Sequence, residues 1–229
     1  MENPHILCDS SSLISLTDSC LDGIIPFFHS KFNVQFVIPP SVEYETVTRP
    51  ISSDLKQYAF SAIKIKKMIE DGIIKKIEPS SQSKTDLILQ ISNNMLYTKG
   101  RPLNLVHKGE SEMLALAEEM GVSNVLIDER TTRMLIEAPF RMKEHMEKEF
   151  GVSIMLNNEN LRRLSDITKG ITAMRSSELL ILAYENGFLD KFGSMKNAAL
   201  EAALYKVKFS GCSIRFDEIA DYIKSVVRS

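Results

Sequence analysis

What the chain lacks narrows its chemistry first. Its three cysteines, Cys8, Cys20 and Cys212, are scattered and odd in number. They offer no disulfide framework and suit a reducing compartment. No Cys-x-x-Cys or mixed His/Cys spacing suggests zinc, and the four histidines, His5, His29, His107 and His145, stand far apart in sequence. No apolar run reaches the ~20 residues of a membrane span. The amino-terminal segment has no basic region and too short an apolar run for a secretory signal. These absences point to a cytoplasmic protein. The glycine-rich loop with Lys-Ser/Thr that cradles nucleotide phosphates is missing. Neither sign of charge dominates: the formal net charge is −2, which argues against a strongly basic nucleic-acid surface but leaves room for a local basic patch. There are no repeats and no low-complexity segment.

What is present is ordinary globular material. The 229 residues, 44% of them hydrophobic, are enough for one large domain or a domain with an appendage. Short, continuously apolar runs at 5–8, 34–38, 73–77, 125–127 and 152–156 read as buried strands. Helical patterns alternate with them at 55–70, 87–96, 110–120 and from about 130 to 150. Pro39-Pro40 ends the second run, and Pro suits the first turn of the helix at 41–47, which Arg49-Pro50 closes. In the helix at 55–70, Ala59, Ile63 and Ile69 read as inward positions, and Lys64, Lys66 and Lys67 as a solvated edge. Residues 80–84 and the Lys99-Gly100-Arg101-Pro102 stretch read as loops. Strands alternating with helices imply an open parallel sheet covered on both faces. After residue 157 no strand is evident, only helical patterns. The expectation is therefore an α/β domain over 1–156 and a helical extension over 157–229 packed on it.

Acids recur at the ends of these elements. Asp9 follows the first strand and Asp128 the strand at 125–127. Glu45 or Glu43 sits in the helix that leaves the second strand. Glu110 opens the helix that follows Gly109. On a wheel at ~100° per residue, Met113, Leu114, Leu116, Ala117 and Met120 share a face, with Glu110 near it, Glu112 beyond its flank, and Glu118 and Glu119 in solvent. Each acid also has a plain structural role open to it: a carboxylate in a first turn favours the helix dipole, and Asp128 would cap the helix after it. Ser10 and Ser11 would hold the first acid, contact a phosphate, or cap a helix along with Ser12. In an open parallel sheet, ligands bind beyond the carboxyl ends of the strands. Carboxylates converging there repel one another unless a cation intervenes, and an all-oxygen set favours magnesium or manganese.

Three stretches carry a resemblance: ILCDSSSLI at the amino terminus, VIPPSVEYETV near residue 40, and GESEMLALAEEMGVSNVLIDERTTR from Gly109. They resemble, in order, the signature blocks of PIN-domain proteins, over about residues 5–137. Closest is the mainly archaeal subgroup with Pro-x-x-Val-x-x-Glu and Gly-Glu-x-Glu blocks. SELLILAYENGFLDKF and ALEAALYKVKFSGCSIRFDEIADYI resemble that subgroup's tail. The resemblance implies a Rossmann-like fold, a central parallel sheet flanked by helices. It implies a magnesium- or manganese-dependent endoribonuclease acting on single-stranded RNA, with a homodimer and an antitoxin-like protein partner as family habits. The alternative is a PIN fold that only binds RNA or protein. Carried over, the four family acids fall on Asp9, Glu45, Glu110 and Asp128, with Glu112 as alternative third acid. Ser10, Ser11, Glu129, Arg130 and Arg133 flank them as supporting or phosphate-binding residues. The connections over 72–108 and 138–175 are longer than those of compact toxins.

Overall fold

The computed structural model describes residues 3–54 and 56–228; Met1, Glu2, Leu55 and Ser229 lie outside the described residues. In chain order the elements are β1 (His5–Cys8), α1 (Ser10–Asp18), α2 (Ile24–Phe32), β2 (Gln35–Ile38), α3 (Pro40–Glu43), a π-helical turn (Tyr44–Thr48) and α4 (Arg49–Ser52). Next come α5 (Ala59–Glu70), β3 (Ile74–Lys76), α6 (Gln82–Asn93), β4 (Leu96–Thr98), β5 (Arg101–Pro102), α7 (Lys108–Met120), β6 (Asn124–Leu126) and α8 (Arg130–Glu137). The remainder is α9 (Met142–Phe150), β7 (Met155–Leu156), α10 (Asn158–Ile167), β8 (Thr172–Met174), α11 (Ser176–Glu185), α12 (Lys196–Phe209) and α13 (Phe216–Arg228).

Five strands form one parallel sheet in the order β3-β2-β1-β6-β8. Successive side chains of a strand point to opposite faces, and the central strands obey this. Ile6, Cys8, Phe36 and Ile38 enter a core shared with α1, α2, α11 and α12. Leu7, Val37, Val125 and Ile127 enter a second core under α7. Both faces are covered, which is why the strands read as unbroken apolar runs. From β1 the chain steps outward to β2 and β3, then returns to lay β6 on the other side of β1. The direction of winding therefore reverses between β1 and β6, and that reversal is where such sheets open a crevice.

The region expected to be wholly helical past 157 contributes a strand. β8 pairs with β6 and forms the sheet's edge, so a boundary at 157 does not separate sheet from helices. Three residues with a single β-branched side chain gave no periodic signal. Residues 152–156 contribute only β7, which pairs antiparallel with β4, in a separate small sheet of order β5-β4-β7. The expected loop at 99–102 is a hairpin: Lys99 and Gly100 both take positive φ, at 49° and 75°. That is the geometry of a two-residue type I′ turn. A third core, including Ile91, Met95, Met142, Met146 and Leu164, ties α6, α9, α10 and this small sheet together.

Other expectations shift locally. Arg49-Pro50 does not end the helix after β2, because the chain widens through the π turn, where the Arg49 amide reaches the Tyr44 carbonyl, and continues to Ser52. The helical pattern from 130 to 150 breaks at Ala138-Pro139. On α5 the buried residues are Ser61, Ala62, Ile65 and Met68, while Ile63 is exposed and Lys64 pairs with Asp22. Among the described residues no helix is long and apolar enough to cross a membrane.

Candidate functional site

The two innermost acids come from neighbouring strands. Cys8 lies opposite Leu126 in the register of β1 and β6, so Asp9 and Asp128 leave the sheet side by side. The Asp9 amide donates to the Leu126 carbonyl at 3.0 Å, and the Ser12 hydroxyl donates to the same carbonyl at 3.0 Å. These bonds fix the start of α1 against β6. Asp9 is the N-cap of α1: Oδ1 accepts from the Ser12 amide at 2.8 Å, and Oδ2 accepts from the Ser11 hydroxyl at 2.6 Å. Burial pushes its pKa up to about 7. The three hydrogen bonds from Ser11 and Ser12 oppose that rise, and the charge of Asp128 adds to it.

Asp128 is fully buried. It does not cap the helix after it; Glu129 does so, accepting from the Thr132 amide at 2.6 Å. Asp128 turns instead to the start of α11. Its Oδ1 accepts from the Ser176 amide at 2.7 Å and its Oδ2 from the Ser176 hydroxyl at 2.6 Å. Both inner carboxylates thus sit at helix amino termini, where amide donors and the dipole favour negative charge. Ser176 carried no sequence signal, being one serine in a stretch read only as helical. Arg175 beside it is buried and clamps Glu178 and Glu218, at 2.7 and 3.1 Å, which pins the first turn of α11 to α13.

The outer pair is Glu45 and Glu110. Glu45 lies in the π turn, a feature often found at functional positions, and its Oε2 accepts from the Ser10 hydroxyl at 2.6 Å. Its carboxylate rests on Gly109, where a Cβ would meet Oε2 at 3.6 Å. Glu43 is held elsewhere, by the Thr48 hydroxyl at 3.1 Å. Glu110 closes a capping box with the His107 amide at 2.9 Å. Burial raises its pKa, and the nearby Glu45 charge adds to that, against the lowering effect of its amide bonds and His107.

Glu112 departs from the wheel. It is more buried than Glu110, because α7 is packed on nearly all sides and its flank is not solvent. Its Oε2 accepts from the Ser41 amide at 3.0 Å in the first turn of α3, and Lys108 lies 3.4 Å from Oε1. It serves as a strut between α7 and α3. Glu118 pairs with Lys84, and Glu119, which is half-buried, accepts from the Ser80 amide. Arg133 pairs with Glu137 and not with the four acids; Arg130 is exposed.

The donor chemistry of the four carboxylates suits a hard divalent cation. An ion between Asp9 and Asp128 would also offset the burial, and the smaller repulsion from Asp128, that lift the Asp9 pKa. The acids stand as two pairs, however, and among the described residues no three His, Cys, Asp or Glu side chains form a cluster shaped to hold a metal ion. A third ligand would have to come from Glu45 or Glu110, each of which has one carboxylate oxygen held, by the Ser10 hydroxyl and by the His107 amide.

Set beside known families, residues 5–139 match the model of the DUF3368 family, described as a PIN domain. Neither the curated proteins nor the solved structures offer a match to the chain. The matched span contains all four acids and ends before α9, β7, α10 and β8.

Proposed function

The chain belongs to the PIN-domain family, whose members are of nuclease type, and from that footing we propose that it is a metal-dependent endoribonuclease hydrolysing single-stranded RNA. The observation that carries this reading is the pairing of two buried carboxylates, Asp9 and Asp128, at the reversal point of the sheet. Magnesium or manganese, when bound, would polarise a phosphoryl oxygen and lower the pKa of a water. Asp9 and Asp128 would hold that ion from the sheet, and Glu110 and Glu45 from the rim. Ser11 orients the Asp9 carboxylate, Ser10 orients Glu45, and Ser176 fixes Asp128. Glu129 and Glu112 work as helix caps that position their elements. A cytoplasmic location, a homodimer and an antitoxin-like partner belong to the same reading and rest on the family likeness.

A second reading, a PIN fold that binds RNA or protein without cleaving it, is favoured by one observation: both Asp128 oxygens already carry a donor from Ser176. Asp9→Asn separates the two. Asn keeps the size and one acceptor oxygen, so α1 stays capped, but it loses the charge that attracts a cation. Cleavage of a labelled single-stranded RNA in magnesium or manganese is expected for the wild type and abolished in the variant, with the fold intact by circular dichroism. Wild-type activity that persists unchanged in the variant would overturn the carboxylate mechanism. No cleavage by the wild type in either metal would move the conclusion to the binding reading.

A further inference from the structure

The small sheet and α9 build a trough that runs away from Glu110. At one end a hollow of about 290 Å³ has Glu110 and Glu129 in its wall. At the other a hollow of about 330 Å³ reaches Lys99 in the hairpin turn. The two share Leu103 and Phe150, so one continuous surface leads from the acids past Phe150 to Lys99. Its floor is apolar, with Met146, Val152 and Ile154, and Phe150 stands 60% exposed over it. Lys99, Arg101 and Arg130 form no ion pair among the described residues, whereas the lysines of α5 and α7 do. Met146, Phe150, Val152 and Ile154 lie beyond the span matched by the family model, so one wall of this trough comes from outside it.

An aromatic face over apolar lining, ended by a cation with no ion pair and opening at Glu110, one of the four acids, matches what single-stranded nucleic acid needs. Bases stack on aromatic rings without regard to sequence, and cations follow the backbone. We propose that the trough between the β4–β5 hairpin and α9 binds the single-stranded RNA segment that leaves the carboxylate site, with a base stacked on Phe150 and a phosphate drawn to Lys99. The inference rests on the ribonuclease reading for its occupant, but its test does not need catalysis. The positive φ of Lys99 is part of the device, because the tight turn carries a cation at its tip.

The test is the affinity of a fluorescein-labelled twelve-nucleotide oligouridylate, read by anisotropy in EDTA so that nothing is cleaved. Phe150→Ala is expected to weaken binding by about ten-fold, the size of one base–aromatic stack, and Phe150→Trp to retain it. Lys99→Glu is expected to weaken binding and to reduce the slope of log affinity against log salt by about one. Phe209→Ala, at a ring 74% exposed on α12, is expected to change nothing. Wild-type binding that Phe150→Ala and Lys99→Glu leave untouched would overturn the trough, as would a wild type that does not bind the oligonucleotide. Cleavage in manganese is scored separately. Cleavage with unaffected trough variants removes this proposal and keeps the nuclease, while trough-dependent binding without cleavage keeps this proposal and removes the nuclease.

Discussion

Ser176 gives both of its donors to one carboxylate, the amide at 2.7 Å and the hydroxyl at 2.6 Å to the two oxygens of Asp128, across 48 positions of sequence. A fully buried aspartate is thereby held by the first residue of a helix that belongs to the carboxyl-terminal third of the chain.

Ser176→Ala removes the hydroxyl and leaves the amide. A hydrogen bond to a charged group contributes about 1.5–3 kcal/mol, so the expected loss of stability is about 2 kcal/mol, measured as a shift of the urea midpoint at constant m-value. An unchanged midpoint would mean that the hydroxyl is replaceable by water.

Asp9 is expected to lower the stability of the metal-free protein as pH rises from about 4 to about 7. Its folded pKa, about 7, lies above the unfolded value near 4. The folded state therefore binds the extra proton between these values. The contribution to stability is fully present below pH 4 and lost as pH rises through 7. In EDTA the melting temperature is expected to fall over that window, by an amount equivalent to a few kcal/mol. Asp9→Asn should flatten this part of the profile. A wild-type profile that rises from pH 4 to 7 would contradict the raised pKa.

Glu45 and Glu43 are two positions apart and have different partners, Ser10 and Thr48. If Glu45 lines the reacting centre, Glu45→Gln lowers the cleavage rate by about 100-fold, within the range of a positioned acid–base group. Glu43→Gln, on the same turn, leaves the rate within two-fold, on the order of an ordinary surface change. Equal effects of the two substitutions in a single-turnover assay would remove Glu45 from the site.

The inner acids were legible because each follows a short apolar run directly, and a strand end is where a buried parallel sheet exposes chemistry. Their supports were not. The wheel for α7 sorted Glu110 from Glu112 by direction alone, yet Glu112 is buried on the amide of Ser41, 71 positions away, a contact no local pattern encodes. Ile63 read as core and is 55% exposed, since the faces of α5 that are covered depend on where β3 and the π turn lie. β8 escaped because Thr172-Ala173-Met174 is three residues long and is defined by pairing to β6. Lys99-Gly100 read as a loop because nothing local distinguishes a two-residue hairpin from one when its second strand is Arg101-Pro102.

The late arrival of β8 sets an order of assembly during synthesis. When the first 156 residues have left the ribosome, β1, β2, β3 and β6 are all available, yet β6 still has an unpaired edge and Asp128 has neither of its Ser176 donors. An open edge of apolar residues invites pairing with another chain, and a buried carboxylate without donors opposes closure of the core. Residues 172–176 then cover the β6 edge and bring Asp128 its two donors.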